Sequence, residues 1–488
     1  MKNLKYKIFT LSMLLLVAGV SCKKQLDINN DPSKLTPDQV ALSGLLPSTI
    51  QFTATSFFNV GQYGNSYPQY LAGSNTYEAN IDSYNPYGFD NIWESAYRDA
   101  MPNLKDMIDR ATTAGAPQYA GIGKLLLALN LMQSTDVWGD LPYKNAFKGP
   151  SVPSPTYDTQ QDIYTTSLKE LLDGATADLQ QPVPASTTLQ VGSTDLIYAG
   201  VIDNWKRAAY GARARYYLHL SVKDPSNAAK AVADANNALN DRTGAFDLQL
   251  KYTADKPSPW YTNLGLPAAT AKQHRPSYFI VNLMNGTGYY PGLIDPRLPK
   301  LFDNNGAATY IGRPVGAIST DPGVSLTNTQ ITEKTYYAAK TSPVPILTYS
   351  EVQFIKAESL LATDKPGAYA AYLEGIRSNM VKLGVATADI DAYTGTGSPL
   401  IAKGAANLTI TDVMLQKYIA QFLQMETWTD MRRYQYSTTV YPGFKAPLKD
   451  LLGANVLVQR GKYPDNEPGR NPNVPQVANQ AVKLWLFN

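Results

Sequence analysis

The scarcest reactive side chains in this 488-residue chain are two histidines and one cysteine, set against 40 carboxylates. With only His219 and His274, a zinc centre of three histidines is excluded, and a centre of two histidines and a glutamate would need both. His219 falls in the helical segment 203–221 and reads as a packed or capping histidine. A Ser-His-Asp triad has no GxSxG turn to carry its nucleophile. Gly121-Ile122-Gly123-Lys124 looks like a phosphate loop, but Gln118 stands where its first glycine is needed and Leu125 where its Ser or Thr is needed. Asp27, Asn29 and Asp31 alternate like a calcium loop, yet Pro32 holds the glycine position. Carboxylate pairs for glycoside hydrolysis come from distant positions, and with this many acids some pair is inevitable. The sequence therefore designates no catalytic residue, metal ligand or cofactor, and a glycoside hydrolase stays as a lesser alternative.

Cys22 has a different chemistry. Lys2, Lys5 and Lys7 precede an apolar run from Ile8 to Val20, broken only by Thr10, Ser12 and Gly19, and small Ser21 comes just before the cysteine. That order reads as a lipoprotein leader over 1–21, with the new N-terminal Cys22 acylated after cleavage. The run is too short to span a bilayer, which needs about 20 apolar residues. Three acyl chains at about 0.8 kcal/mol per buried methylene would anchor the chain permanently. Residues 22–35 read as a lipidated, turn-rich tether and 36–488 as one domain. The leader carries off all three of its lysines and no acid, so the overall +3 falls to near zero. Nothing suggests nucleic-acid binding, which shows as a basic excess. A lone cysteine cannot close an intramolecular disulfide, so packing must hold the fold.

Binding chemistry has more to work with. The chain has 33 Tyr against 13 Phe and 6 Trp, and seven of the tyrosines lie between Tyr63 and Tyr97. Tyr and Trp rings stack on the C–H faces of sugars, while Asn, Asp, Gln and Arg bond the hydroxyls. The aromatic candidates for ligand binding are Tyr77, Tyr84, Tyr87, Trp260, Tyr261, Tyr289, Tyr290 and Tyr310. Any one of them taken singly reads more readily as packing; the expectation concerns the set.

Helices must position these side chains. Ile122, Leu125, Leu126, Leu129 and Met132 form one apolar stripe; Trp205, Ala209, Ala212, Tyr216 and Leu220 a second; Met414, Tyr418, Phe422 and Met425 a third. Ser350 with Gln353 and Asp158 with Gln161 read as capping boxes. Segments 349–363 and 366–383 read as two helices joined at Pro366-Gly367, with Ala357, Ala362, Ala368, Ala370 and Ala371 allowing close approach. This is tetratricopeptide-like in style, without a strict 34-residue period. Residues 61–90 read as ordered irregular surface. The Pro/Gly/Tyr-rich stretch 251–347 is too long for a plain loop and is expected to carry short elements and binding loops.

Several segments, read in order, resemble the SusD/RagB family of outer-membrane nutrient-binding lipoproteins, in its SusD-like branch. They are Cys22-Lys23-Lys24 through Asp31-Pro32; Asp136-Val137-Trp138-Gly139-Asp140-Leu141-Pro142-Tyr143; Asp295-Pro296-Arg297-Leu298-Pro299 with Tyr310-Ile311-Gly312; the helix Ser350 to Glu358; Gln416 to Ala420 with Glu426 to Arg433; and Arg460, Tyr463-Pro464, Glu467 and Asn471-Pro472. One departure is that Arg433 runs into Tyr434-Gln435-Tyr436-Ser437, where the family often has Thr-Gly-Tyr-Pro. The resemblance implies a mostly α protein: a tetratricopeptide-like helix-pair scaffold with an extensive irregular, loop-rich portion packed on it. It implies a cell-surface, lipid-anchored outer-membrane protein acting as the lid of a SusC-like TonB-dependent transporter. Its ligand would be a glycan or oligosaccharide, or alternatively a peptide on a RagB-like lid, and no covalent chemistry is implied. Asp295, Arg297, Glu358 and Arg432 are expected to form ion pairs tying loops to helices, because buried charge is tolerated when paired. Trp428 is expected in the core.

Overall fold

A computed structural model describes residues 40–73, 81–86, 88–266 and 274–488. Cys22, the leader and the tether lie outside the described residues, as do Tyr77 and Tyr87. Helices dominate: α1 (Leu42–Gly64), α2 (Met101–Ala114), α3 (Pro117–Trp138), α4 (Lys169–Gln180), α5 (Ile202–Leu220), α6 (Asn227–Ala235), α7 (Tyr278–Met284), α8 (Tyr349–Leu360), α9 (Lys365–Lys382), α10 (Ile410–Ala420) and α11 (Glu426–Arg433). Two short antiparallel pairs join distant parts of the chain. Strand β1 (Leu71–Gly73) pairs with β3 (His274–Pro276), and β2 (Leu248–Leu250) pairs with β4 (Val344–Leu347).

The scaffold is a serial stack. α2 packs on α3, α3 on α4, α4 on α5, α5 on α6, α6 on α8, α8 on α9 and α9 on α10. Each helix thus buries two faces against its chain neighbours, which is the tetratricopeptide-like arrangement. The α8–α9 hairpin forms where the sequence places it. Asp364 caps α9 by accepting from the Gly367 N–H at 3.0 Å, and Pro366 sits in the first turn, where a missing N–H costs nothing. At Gly375 a Cβ would come within 2.9 Å of the Phe354 ring, so only glycine allows this approach.

Two capping expectations shift. α8 is capped by Thr348 (Glu351 N–H to its Oγ1, 3.2 Å), not Ser350; the helix at Gln160 is capped by Thr159 (Asp162 N–H, 3.2 Å), not Asp158. Asp158 is occupied instead, accepting from the Tyr143 and Lys144 N–H groups at 3.0 and 2.8 Å. Residues 65–73 are also more buried than an irregular surface would be: Tyr67, Tyr70 and Leu71 are core.

Three of the four expected charges form ion pairs, but within one segment or between helices and not from loop to helix. Arg297 and Asp295 are both buried and meet at 2.6 Å, with Tyr393 donating to Asp295 at 3.0 Å and Asn379 accepting from Arg297 at 3.2 Å. Glu358 pairs with Arg433 and with Lys417 at 3.2 Å, and Lys417 reaches Asp430 at 2.8 Å. Arg432 has no carboxylate partner among the described residues. It lies over the buried ring of Trp428 and donates to backbone carbonyls and to the Thr429 hydroxyl at 3.3 Å. His219 is buried, bonded through Nε2 to Glu426 at 2.6 Å and through Nδ1 to Tyr164 at 2.9 Å, consistent with a packed histidine.

Candidate functional site

A groove of about 500 Å³ opens where the β1–β3 pair meets the loops that follow it. Ser277 comes directly after β3. Its N–H donates to the Tyr70 carbonyl at 3.1 Å, its hydroxyl donates to the Gln69 carbonyl, and its Oγ accepts from the Ile280 N–H at 3.4 Å. The strand therefore hands over to a capped helix in a fixed orientation. Within α7, Phe279, Ile280, Val281, Leu283 and Met284 go to the core, leaving Tyr278 and Asn282, one turn apart, on the groove side. Tyr278 is 55% exposed. The Asn282 side chain makes no hydrogen bond among the described residues, so its amide is available to a ligand.

Tyr289 enters from the turn after α7. Gly286 takes φ +80°, a left-handed conformation that glycine adopts freely. At Gly288 a Cβ would lie 2.7 Å from the Asn282 carbonyl, so the chain doubles back tightly. Tyr289 meets Tyr290 edge to face, with centroids 5.0 Å apart. Tyr290 is buried below and Tyr289 lines the groove half-buried. The opposite wall runs from Pro442 to Leu448, held by the Leu448 N–H to Val315 carbonyl bond at 2.9 Å and by Phe444 against Phe279 (5.4 Å, nearly perpendicular). Gln69 bonds the Lys445 carbonyl from beneath. Gln69 (φ +58°) and Tyr84 (φ +61°) are both left-handed non-glycine residues at this base, the kind of strain that clusters at functional sites. Asp82 ties the rim together: its Oδ2 accepts from Gly73 at 3.1 Å and from Gly316 at 2.7 Å.

The aromatic candidates are dispersed. Tyr289 lines the groove. Tyr84 and Tyr290 are core residues beside it, their ring faces committed to packing. Trp260 is buried against Phe58 (4.8 Å), bordering an interior cavity of about 40 Å³, and Tyr261 is buried beside it under the Lys340 ammonium. Tyr310 is half-buried and does not line the groove. Trp138, Trp205, Trp260 and Trp428, four of the six tryptophans, are fully buried, so stacking surface is left mainly to tyrosine. Sequence reasoning passed over Tyr278, Asn282 and Lys445. The available signal was Pro276-Ser277-Tyr278, a capping serine followed by an aromatic at the first helical position.

Among the described residues no Asp or Glu lines the groove, so none of them offers a carboxylate pair there for glycoside chemistry. Among the described residues no group of three or more His, Cys, Asp or Glu could hold a metal ion. His274 is buried at the strand pair, and burial, with the Arg275 charge adding to it, pushes its imidazole down to about 4. No described helix is long and apolar enough to cross a membrane.

Residues 30–464 match a family described as "Starch-binding associating with outer membrane", SusD-like in name. No protein of curated function matches. Among solved structures, the chain is similar to a chitin-binding SusD homolog from Flavobacterium johnsoniae (TM-score 0.74, 20% identity, covering 92% of this chain and 98% of that one). It is also similar to a SusD homolog from Bacteroides uniformis (0.71, 21%, 91% and 99%) and a SusD/RagB family protein from Bacteroides thetaiotaomicron (0.72, 22%, 92% and 99%).

Proposed function

The chain belongs to the SusD-like family, and from that premise we propose that it is a glycan-binding lid whose groove takes an oligosaccharide against Tyr278. One observation carries this reading: an exposed tyrosine ring with an uncommitted amide, Asn282, one helical turn away, over an apolar floor. A pyranose offers the matching pair of surfaces, a C–H face and equatorial hydroxyls. A groove dominated by amides would favour a peptide. Here the Gln69 amide is committed to the Lys445 carbonyl and a tyrosine ring, Tyr278, stands exposed, which supports the glycan. The family description supports binding, and none of the described groove residues is a carboxylate that could serve hydrolysis.

The protein is anchored to the outer membrane at the cell surface through acylated Cys22 and closes over a SusC-like TonB-dependent transporter. Closure is favoured when the ligand makes more contacts in the closed state than in the open one. The short tether keeps the lid close to the lipid. Titration calorimetry against a panel of oligosaccharides tests the binding; binding to peptides and to no glycan overturns it. Affinity purification from native outer membranes tests the lid. The expected result is co-purification of a β-barrel transporter identified by mass spectrometry, and recovery of the protein alone contradicts it.

A further inference from the structure

A second cleft, of about 720 Å³, shares no lining residue with the groove. Its size falls within the roughly 300–1,000 Å³ of small-ligand sites. Its floor is a run of three stacked rings. Trp93 and Tyr97 lie 4.3 Å apart at 20°, and Tyr97 and Phe147 lie 5.9 Å apart at 24°. The middle ring and one end of this run are held in unusual backbone. Tyr97 sits in a π-helical turn, Ser95–Ala100, that interrupts the helix leading into α2. Such turns cost helical hydrogen-bond geometry and recur at functional sites. Phe147 takes φ +62°, which is unfavourable for a bulky residue and persists only when its surroundings require it. Packing alone does not call for the strain, since Phe147 is only half-buried and closes the stack at the cleft.

The polar groups point the same way. Glu467 lines this cleft at 8% exposure. Its Oε1 accepts from the Tyr157 hydroxyl at 2.8 Å, and no salt bridge reaches it among the described residues. A carboxylate this buried normally has a cation or several donors. The Tyr97 hydroxyl, in the same cleft, is buried without a hydrogen-bond partner. Arg470, on the single turn Glu467–Arg470, is exposed on the rim and has no acidic partner among the described residues. Charges around the cleft balance, with Arg98, Lys105 and Arg470 against Asp106, Asp109 and Glu467. A balanced rim over aromatic rings and a buried acceptor suits a neutral ligand rich in hydroxyls better than an ion.

We propose that this cleft is a second saccharide-binding site, in which a sugar ring stacks on Phe147 and its hydroxyls donate to Glu467 and bond Tyr97 and Arg470. The proposal rests on the glycan reading of the family but not on the groove. Two separate sites would let the protein hold one long chain at two points and raise its avidity.

The test is calorimetry of the whole mature protein with maltoheptaose and with chitohexaose, on wild type and on three variants: Phe147→Ala, Glu467→Gln and Tyr278→Ala. Glu467→Gln keeps shape and the Tyr157 bond, so it guards against a folding artefact at Phe147, and an unchanged Tm certifies each variant. The expected result is two sites on the wild type. One should weaken at least about tenfold, equivalent to about 1.4 kcal/mol, in both Phe147→Ala and Glu467→Gln while persisting in Tyr278→Ala. A single site abolished by Tyr278→Ala and untouched by the two cleft variants overturns this proposal and leaves the groove reading intact. A single site lost in the cleft variants alone supports it and overturns the groove. No binding of either sugar overturns this proposal, whereas the groove reading falls only if a wider glycan panel also fails to bind.

Discussion

The guanidinium of Arg432 lies 3.7 Å from the ring centroid of Trp428 and 4.4 Å from that of Phe487. A cation held between two buried rings joins α11 to the last residues of the chain. It also donates to the Asp136 and Gln459 carbonyls, so one side chain links α3, α11 and the C-terminal segment. Lysine cannot lie flat on a ring and fork to two carbonyls at once. Arg432→Lys is therefore expected to cost about 2–4 kcal/mol, from the lost stacking and the unpaired carbonyls. Urea denaturation measures this, and a change below about 0.5 kcal/mol, the size of an ordinary surface substitution, contradicts the linking role.

Asp82 sets a pH dependence of unusual sign. Burial pushes its carboxyl from 3.8 up to about 8, against the pull of two backbone N–H bonds and the Arg313 charge. Between those values the unfolded chain is ionised at this residue while the folded chain keeps the proton. Folding takes up a proton there, and stability falls as pH rises from about 4 to about 8. Asp82→Asn cannot titrate and still accepts from Gly73 and Gly316. Its Tm relative to wild type should climb across that range in differential scanning calorimetry. A difference that stays flat with pH shows Asp82 ionised in the folded protein.

Glu426 has the opposite sign. Burial pushes its carboxyl up, but the His219 and Arg215 charges outweigh it and hold the group well below its ordinary 4.5. Its contribution is complete above pH 4.5 and is lost as pH falls below that. Glu426→Gln leaves Arg215 and His219 under-compensated and is expected to cost about 3–5 kcal/mol at pH 7, as for other broken buried pairs. The gap to wild type should shrink under acid in urea melts; a constant gap down to pH 3 contradicts this.

The α8–α9 hairpin was legible because its signals are local: Pro366-Gly367 at the junction and small alanines on both sides of it. The capping residue of α8 was not, because β4 extends the chain up to Thr348 and the buried Asp247 bonds the Tyr349 N–H at 2.7 Å. The site was legible as a composition and not as positions. Tyrosine serves equally in core and rim, and adjacent Tyr289 and Tyr290 take different roles because the turn at Gly286 and Gly288 sends one down and one out. Tyr278 opens an apolar run and was passed over; only the β1–β3 pairing, which joins Leu71–Gly73 to His274–Pro276, turns it outward.

Cys22→Ala should abolish acylation, release the protein from the membrane fraction and leave glycan affinity within about twofold of wild type, as expected when a tether alone is lost. Fractionation with immunoblotting reads the first outcome and calorimetry the second. A variant that stays membrane-bound in the absence of any transporter contradicts the anchor.

In the proposed function Tyr278 presents a sugar-stacking face on a folded, pre-formed groove. Tyr278 is largely exposed, so its truncation should leave Tm within about 1 °C, consistent with a change of no more than about 0.5 kcal/mol. The most direct measurement is calorimetry of wild type and Tyr278→Ala against a panel of oligosaccharides, at the groove site resolved in the isotherm. Wild type is expected to bind at least one glycan and the variant to lose about tenfold or more, the equivalent of about 1.4 kcal/mol. Equal binding by both proteins, or binding of peptides and no glycan, would contradict it.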